Sequence, residues 1–159
     1  MYNYFRYDEP LFRPPSEAQS LIIQATIGCS QNHCRFCGMY RTKKFRFRPL
    51  TEILAEINII PRSHRPHIQR VFLADGDALV YPQEGLMSLL AALAETFPQL
   101  KRVAAYASPN SLTTKSFAEL KALKESGLRL LYFGLESGDE LTLAAINKGS
   151  PSARWPGRQ

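Results

Sequence analysis

Four short apolar runs, each followed by a stretch with helical period, restrict this chain to one class of fold. The runs are Leu21 to Thr26 (LIIQAT), Val71 to Ala74 (VFLA), Val103 to Ala107 (VAAYA) and Leu130 to Gly134 (LLYFG). They read as strands covered on both faces, because their apolar character is continuous rather than alternating. Helices follow each. Thr51 caps one running to Ile60, with Leu54, Ile57 and Asn58 on one face. Pro82 to Phe97 sets Leu86, Leu89, Leu90, Leu93 and Phe97 along another. Thr113 or Thr114 opens a third, in which Phe117, Leu120, Leu123 and Lys124 keep the period and Gly127 suits the left-handed C′ position. Ser137 and Glu140 stand at capping-box spacing before a fourth that ends near Asn147. Strand and helix in alternation predict an α/β fold with a parallel sheet and right-handed crossovers. With 159 residues, 45% of them apolar, the chain builds one core and falls short of the roughly 200 residues of a complete eightfold barrel.

The interval between the first two strands is the longest, and it holds all three cysteines. Cys29, Cys34 and Cys37 fall within nine residues of the loop TIGCSQNHCRFCGMY. An odd number of cysteines argues for reduced thiols and a cytoplasmic setting rather than a disulfide scaffold. Thiolates are soft ligands, and three in one loop can surround a metal centre. Structural zinc and protein-only iron–sulfur clusters both take four protein ligands. Either a fourth ligand comes from elsewhere, or one metal position is open to a small molecule. His33 would complete a Cys₃His zinc set, and with the basic stretch that follows it would make a nucleic-acid-binding module. Against this, His33 adjoins Cys34, and no second ligand pair, His64 and His67 included, stands at a finger-like distance.

In parallel α/β sheets ligands sit at the carboxyl ends of the strands, where the βα loops converge. Each predicted carboxyl end carries polar groups: the cysteine loop, then Asp75-Gly76-Asp77, then Ser108 with Asn110, then Glu136. Asp-Gly pairs and Ser-Pro-Asn are also ordinary turn chemistry. Four such groups on one rim describe a site. Carboxylates suit an ammonium or ribose hydroxyls, and Ser108 and Asn110 suit a carboxylate or hydroxyl.

Arg41 to Leu50 (RTKKFRFRPL) interleaves Phe45 and Phe47 with five cations. That alternation fits a single-strand nucleic-acid platform and, more simply, a half-buried strand with a solvated face. Residues 1–20 read as an extended arm, since Pro10, Pro14 and Pro15 hold the chain out of helix. No stretch reads as a signal peptide or a membrane span. The net charge of +6 is compatible with anionic partners without choosing one.

The cysteine loop, with Phe36 directly before Cys37, resembles the cluster loop of the radical S-adenosylmethionine superfamily. The resemblance covers residues 20–149. It implies a partial TIM-like (βα) barrel, with about four βα units present of an expected six. It implies a [4Fe–4S] cluster held by Cys29, Cys34 and Cys37, with S-adenosylmethionine on the fourth iron. A one-electron donor such as flavodoxin or ferredoxin then drives cleavage to methionine and a 5′-deoxyadenosyl radical, which abstracts hydrogen from a substrate that the sequence does not name. By the same resemblance Phe36 packs beside the cluster or adenine. Asp75, Gly76 and Asp77 lie where the superfamily has a Gly-Gly-Glu-like segment facing the amino group. Ser108 and Asn110 face the same ligand, and Glu136 approaches its methionine or ribose part. The commonest pattern has three residues between the first two cysteines; here four intervene, Ser30 to His33. The division expected is an arm (1–20), the partial barrel (21–149) and an irregular tail (150–159). The tail, with Pro151 and Pro156, reads as the product of truncation or an altered frame. The expectation is therefore a fold fragment of weak or no turnover.

Overall fold

The computed structural model describes residues 4–148; the predicted tail, 150–159, lies outside the described residues. In chain order the elements are β1 (Leu21–Gln24), β2 (Thr26–Ile27), β3 (Arg46–Phe47), α1 (Leu50–Ile59), β4 (Arg70–Ala74), α2 (Gln83–Thr96), β5 (Arg102–Ala107), α3 (Pro109–Thr113), α4 (Phe117–Glu125), β6 (Leu128–Phe133) and α5 (Glu140–Ala145). β1, β4, β5 and β6 form one sheet in that order, every neighbouring pair parallel. Each new strand is laid beside the one before it, with no reversal of order. That is the sequence of a barrel wall, not of a doubly wound sheet.

Period-two alternation gives the sheet two different faces. Ile23, Leu73, Val103 and Ala105 point toward α1 and α2, where they join Ile53, Ile57, Leu86, Leu89, Leu90, Leu93 and Phe97 in the main core. Ile22, Phe72, Ala74 and Ala104 point the other way, against Tyr106, Leu130 and Tyr132. Phe72 meets Tyr106 and Tyr132 edge-on, with ring centroids 5.1 Å and 6.0 Å apart. The amino-terminal segment closes part of this inner face. Tyr7 and Leu11 pack on it, and the Tyr7 hydroxyl donates to the Ile22 carbonyl at 3.0 Å. Glu17 is fully buried there, receiving Arg102 at 2.5 Å and the Tyr132 hydroxyl at 2.6 Å. No helix among the described residues is long and apolar enough to cross a membrane.

Several local expectations change. The first predicted strand breaks at Ala25, and Thr26–Ile27 turns aside to pair antiparallel with β3. Helix α1 starts at Leu50 after Pro49, so Thr51 is no cap, and its buried face is Ile53 and Ile57 while Asn58 is exposed. Ser116 and Glu119, not Thr113 or Thr114, form the capping box of α4. Pro109–Thr113 is a separate turn of helix, capped by Ser108. Asp139 caps α5 through the Thr142 amide, in place of the predicted Ser137.

Candidate functional site

The parallel pairing of β1 and β4 continues past the strands' regular ends, and this carries the cysteine loop and Asp75-Gly76-Asp77 side by side. Ala25 donates to the Ala74 carbonyl at 2.7 Å, Asp75 to Thr26 at 3.3 Å and Gly76 to Gly28 at 3.1 Å. Gly28 has φ +76°, a conformation that opens the loop at low cost only for glycine. Gly76 is glycine for a steric reason. A Cβ there would lie 2.8 Å from Cys29 Cβ and 2.7 Å from the Tyr40 ring.

The loop that follows is tied to itself and to both neighbouring strands. Asn32 Nδ2 donates to the carbonyls of Tyr40 and Lys43, at 2.7 Å and 3.2 Å. The Arg41 guanidinium donates to the carbonyls of Cys34, Arg35 and Cys37, at 3.4 Å, 2.8 Å and 3.1 Å. Lys43 turns inward and pairs with Asp75. Its ammonium also donates to the Asp8 carbonyl of the amino-terminal segment. Arg48 makes a bidentate pair with Glu56 at 2.6 Å and 2.9 Å. Phe45, Phe47 and Tyr81 pack edge to edge, with centroids 5.3 Å and 5.6 Å apart. Of the alternating basic and aromatic stretch, Lys43 is thus buried and Phe45 and Arg48 half-buried, while Arg41, Lys44, Arg46 and Phe47 are exposed.

A cavity of about 220 Å³ opens between this loop and the carboxyl ends of β4, β5 and β6. Cys29, Cys34 and Cys37 wall it, together with Phe36, Gly76, Ser108 and Glu136. Seven of the ten residues singled out in the sequence therefore meet in one space. Asp75, Asp77 and Asn110 are not among the lining residues. Asp75 is fully buried and takes hydrogen bonds from the Gly28 amide at 2.9 Å and Gln24 Nε2 at 3.2 Å. Asp77, also fully buried, receives the Ser108 amide at 3.0 Å, the Ser108 hydroxyl at 2.7 Å and the Ser30 hydroxyl. Both carboxylates face the protein and act as struts beneath the cavity. Asn110 sits in the first turn of α3.

The far side of the cavity comes from the carboxyl-terminal part of the described chain. Glu136 has φ +61°, where a non-glycine residue is strained by about 1 kcal/mol or more. In that conformation its carboxylate reaches Lys148 Nζ at 2.9 Å, and the same ammonium stands 5.5 Å from the Phe36 ring centroid. Arg35 donates its amide to the Ile146 carbonyl at 2.8 Å, and Asn147 donates to the His33 carbonyl at 3.0 Å, so residues 145–148 strap the cysteine loop down. Tyr40, Tyr106, Tyr132 and Lys148 line the cavity too. Sequence reading missed all four. Tyr40 alone had a signal, its place three residues after Cys37.

Burial pushes the Cys29 thiol up to about 12, with Asp77 and the other two cysteines adding to the effect. Burial also raises Cys34, while the Lys148 ammonium opposes it. Burial, followed by the Asp75 charge, raises Tyr40 far above the ordinary phenol. Among the described residues no three His, Cys, Asp or Glu side chains converge as donors to a single ion. Three thiols spread around a cavity are a donor set for a polynuclear cluster, in which each sulfur takes its own iron.

A model of the radical SAM superfamily matches residues 23–155, beginning within β1 and running beyond α5. No curated protein gives a significant match. The family match spans most of the chain, including the cysteine loop and the three strand ends that face it: the chain belongs to the radical SAM superfamily.

Proposed function

We propose that Cys29, Cys34 and Cys37 hold a [4Fe–4S] cluster and that the rest of the cavity receives S-adenosylmethionine. Membership in the superfamily carries iron–sulfur radical chemistry on S-adenosylmethionine in its general form. Bound together, cluster and co-substrate supply reductive cleavage to methionine and a 5′-deoxyadenosyl radical that takes a hydrogen atom from a substrate. The observation that carries the reading is the meeting of all three thiols, Ser108 and Glu136 in one cavity. The chain's own task is to bind, orient and exclude water. Ser108 offers a hydroxyl, already oriented by Asp77, to a polar group of the co-substrate. Glu136, ion-paired with Lys148 at the wall, presents a carboxylate to its amino or ribose groups. Phe36, 51% exposed, offers a ring face at the cavity edge. The electron comes from a small donor such as flavodoxin or ferredoxin, in the cytoplasm.

Anaerobic reconstitution with iron and sulfide tests the cluster. A brown protein with broad absorption around ~400 nm is expected from thiolate–iron charge transfer. Cys34→Ala is expected to lose that absorption. A colourless protein that loads zinc instead would overturn the reading. Reduction by dithionite in the presence of S-adenosylmethionine is expected to give 5′-deoxyadenosine, and a loaded protein that yields none would remove the cleavage step.

A further inference from the structure

Tyr40 is 3% exposed, it lines the cavity beside the cysteines, and its hydroxyl is buried with no hydrogen-bond partner among the described residues. An unpaired buried hydroxyl costs about 1–3 kcal/mol, so a ring needed only for packing would be better served by Phe. The ring is not free to swing out to water. Phe12 meets it edge-on at 5.4 Å between centroids, and the Lys43 ammonium stands 5.7 Å from its centroid. The missing side chain of Gly76 admits its Cε2 edge, and the Tyr40 carbonyl is fixed by Asn32 and by the Lys43 amide. A phenol donates as well as accepts. On the cluster reading, the cavity it borders receives a cluster held by three thiolates, which is an anionic occupant.

We propose that the Tyr40 hydroxyl donates a hydrogen bond to the anionic contents of the cavity, a cluster sulfur or the carboxylate of S-adenosylmethionine. The inference rests on the cluster reading above. A donor to a cluster sulfur stabilises the more negative, reduced form and so raises the reduction potential. A donor to the carboxylate strengthens co-substrate binding instead.

Tyr40→Phe is the test, since it keeps the ring and removes only the hydroxyl. In the metal-free protein the variant is expected to melt at the same temperature as wild type or higher, because an unpaired group is removed. A clearly lower melting temperature would reveal a protein partner and overturn the proposal. In the reconstituted protein two further measurements separate the acceptors. A reduction potential more negative than wild type, measured without S-adenosylmethionine, assigns the bond to a cluster sulfur. An unchanged potential with a dissociation constant for S-adenosylmethionine raised roughly tenfold or more assigns it to the carboxylate. A loaded variant unchanged in both overturns this inference alone. A wild-type protein that takes up no cluster removes the cluster reading and this one with it.

Discussion

Lys43 Nζ lies 2.8 Å from Asp75 Oδ2, and the two side chains are 2% and 0% exposed. Asp75 also receives the amide of Gly28, the residue before Cys29, so this buried pair joins the two ends of the cysteine loop to the end of β4. Removing one partner strands the other charge, at a cost of about 3–5 kcal/mol. Lys43→Met is therefore expected to lower the melting temperature by roughly 6–20 °C. Lys43→Met combined with Asp75→Asn is expected to recover at least half of that loss, because no charge is left buried. A double variant as unstable as the single one would show that the pair's charge complementarity is irrelevant.

Asp77 joins the cysteine loop to β5 by accepting from Ser30 and twice from Ser108. Asp77→Ala leaves those donors without their carboxylate, at about 2–4 kcal/mol. Thermal unfolding should shift down by roughly 5–15 °C. An unshifted transition would mean that water replaces the carboxylate without loss.

Gly76→Ala places a methyl group against Cys29 and Tyr40. Overpacking of this kind costs about 1–3 kcal/mol. The expected result is a lower melting temperature together with reduced iron uptake per chain on reconstitution. Normal iron content would show that Cys29 tolerates the displacement.

The Cys29 thiol, raised from 9.0 to about 12, is protonated at pH 8 in the metal-free protein. A raised pKa means the thiolate is the disfavoured form, so its population grows with pH up to about 12. Iodoacetamide should modify Cys29 on the order of a thousandfold more slowly than an unperturbed thiol of equal access, with a rate that climbs about tenfold per pH unit. Mass spectrometry of the alkylated peptide reads this directly. Rapid, pH-independent alkylation of Cys29 would contradict it.

Local sequence carried the sheet well. VFLA and VAAYA are continuous apolar runs because both faces of their strands are covered, and β4 and β5 each add one residue at the start. LLYFG falls on β6, the last strand of the described sheet, whose residues 130–133 are only half-buried and which starts two residues earlier and ends one residue sooner. It carried the leucine face of α2 for the same reason, since a single stripe faces the core. The helix starts read less well. At α4 the capping box, Ser116 with Glu119, stands two and three residues beyond Thr114 and Thr113. The cysteine loop declared itself through ligand type and spacing. The aim of Asp75 and Asp77 could not be read, because it depends on Lys43, Ser30 and Ser108, which reach those carboxylates from the cysteine loop and from the end of β5. Lys148 was invisible for a similar reason. It belongs to the site only through a turn of the chain at Glu136 that no local pattern announces.

The strap over the cysteine loop fixes an order of events in biosynthesis. Arg35 Nη1 reaches the Ala145 carbonyl across 110 positions of sequence, and Asn147 reaches the His33 carbonyl across 114. Contacts of such separation form late, after the intervening strands are in place. At 5–20 residues per second, roughly 5–20 s separate synthesis of the loop from synthesis of its cover. The three thiols therefore leave the ribosome well before the residues that strap their loop down.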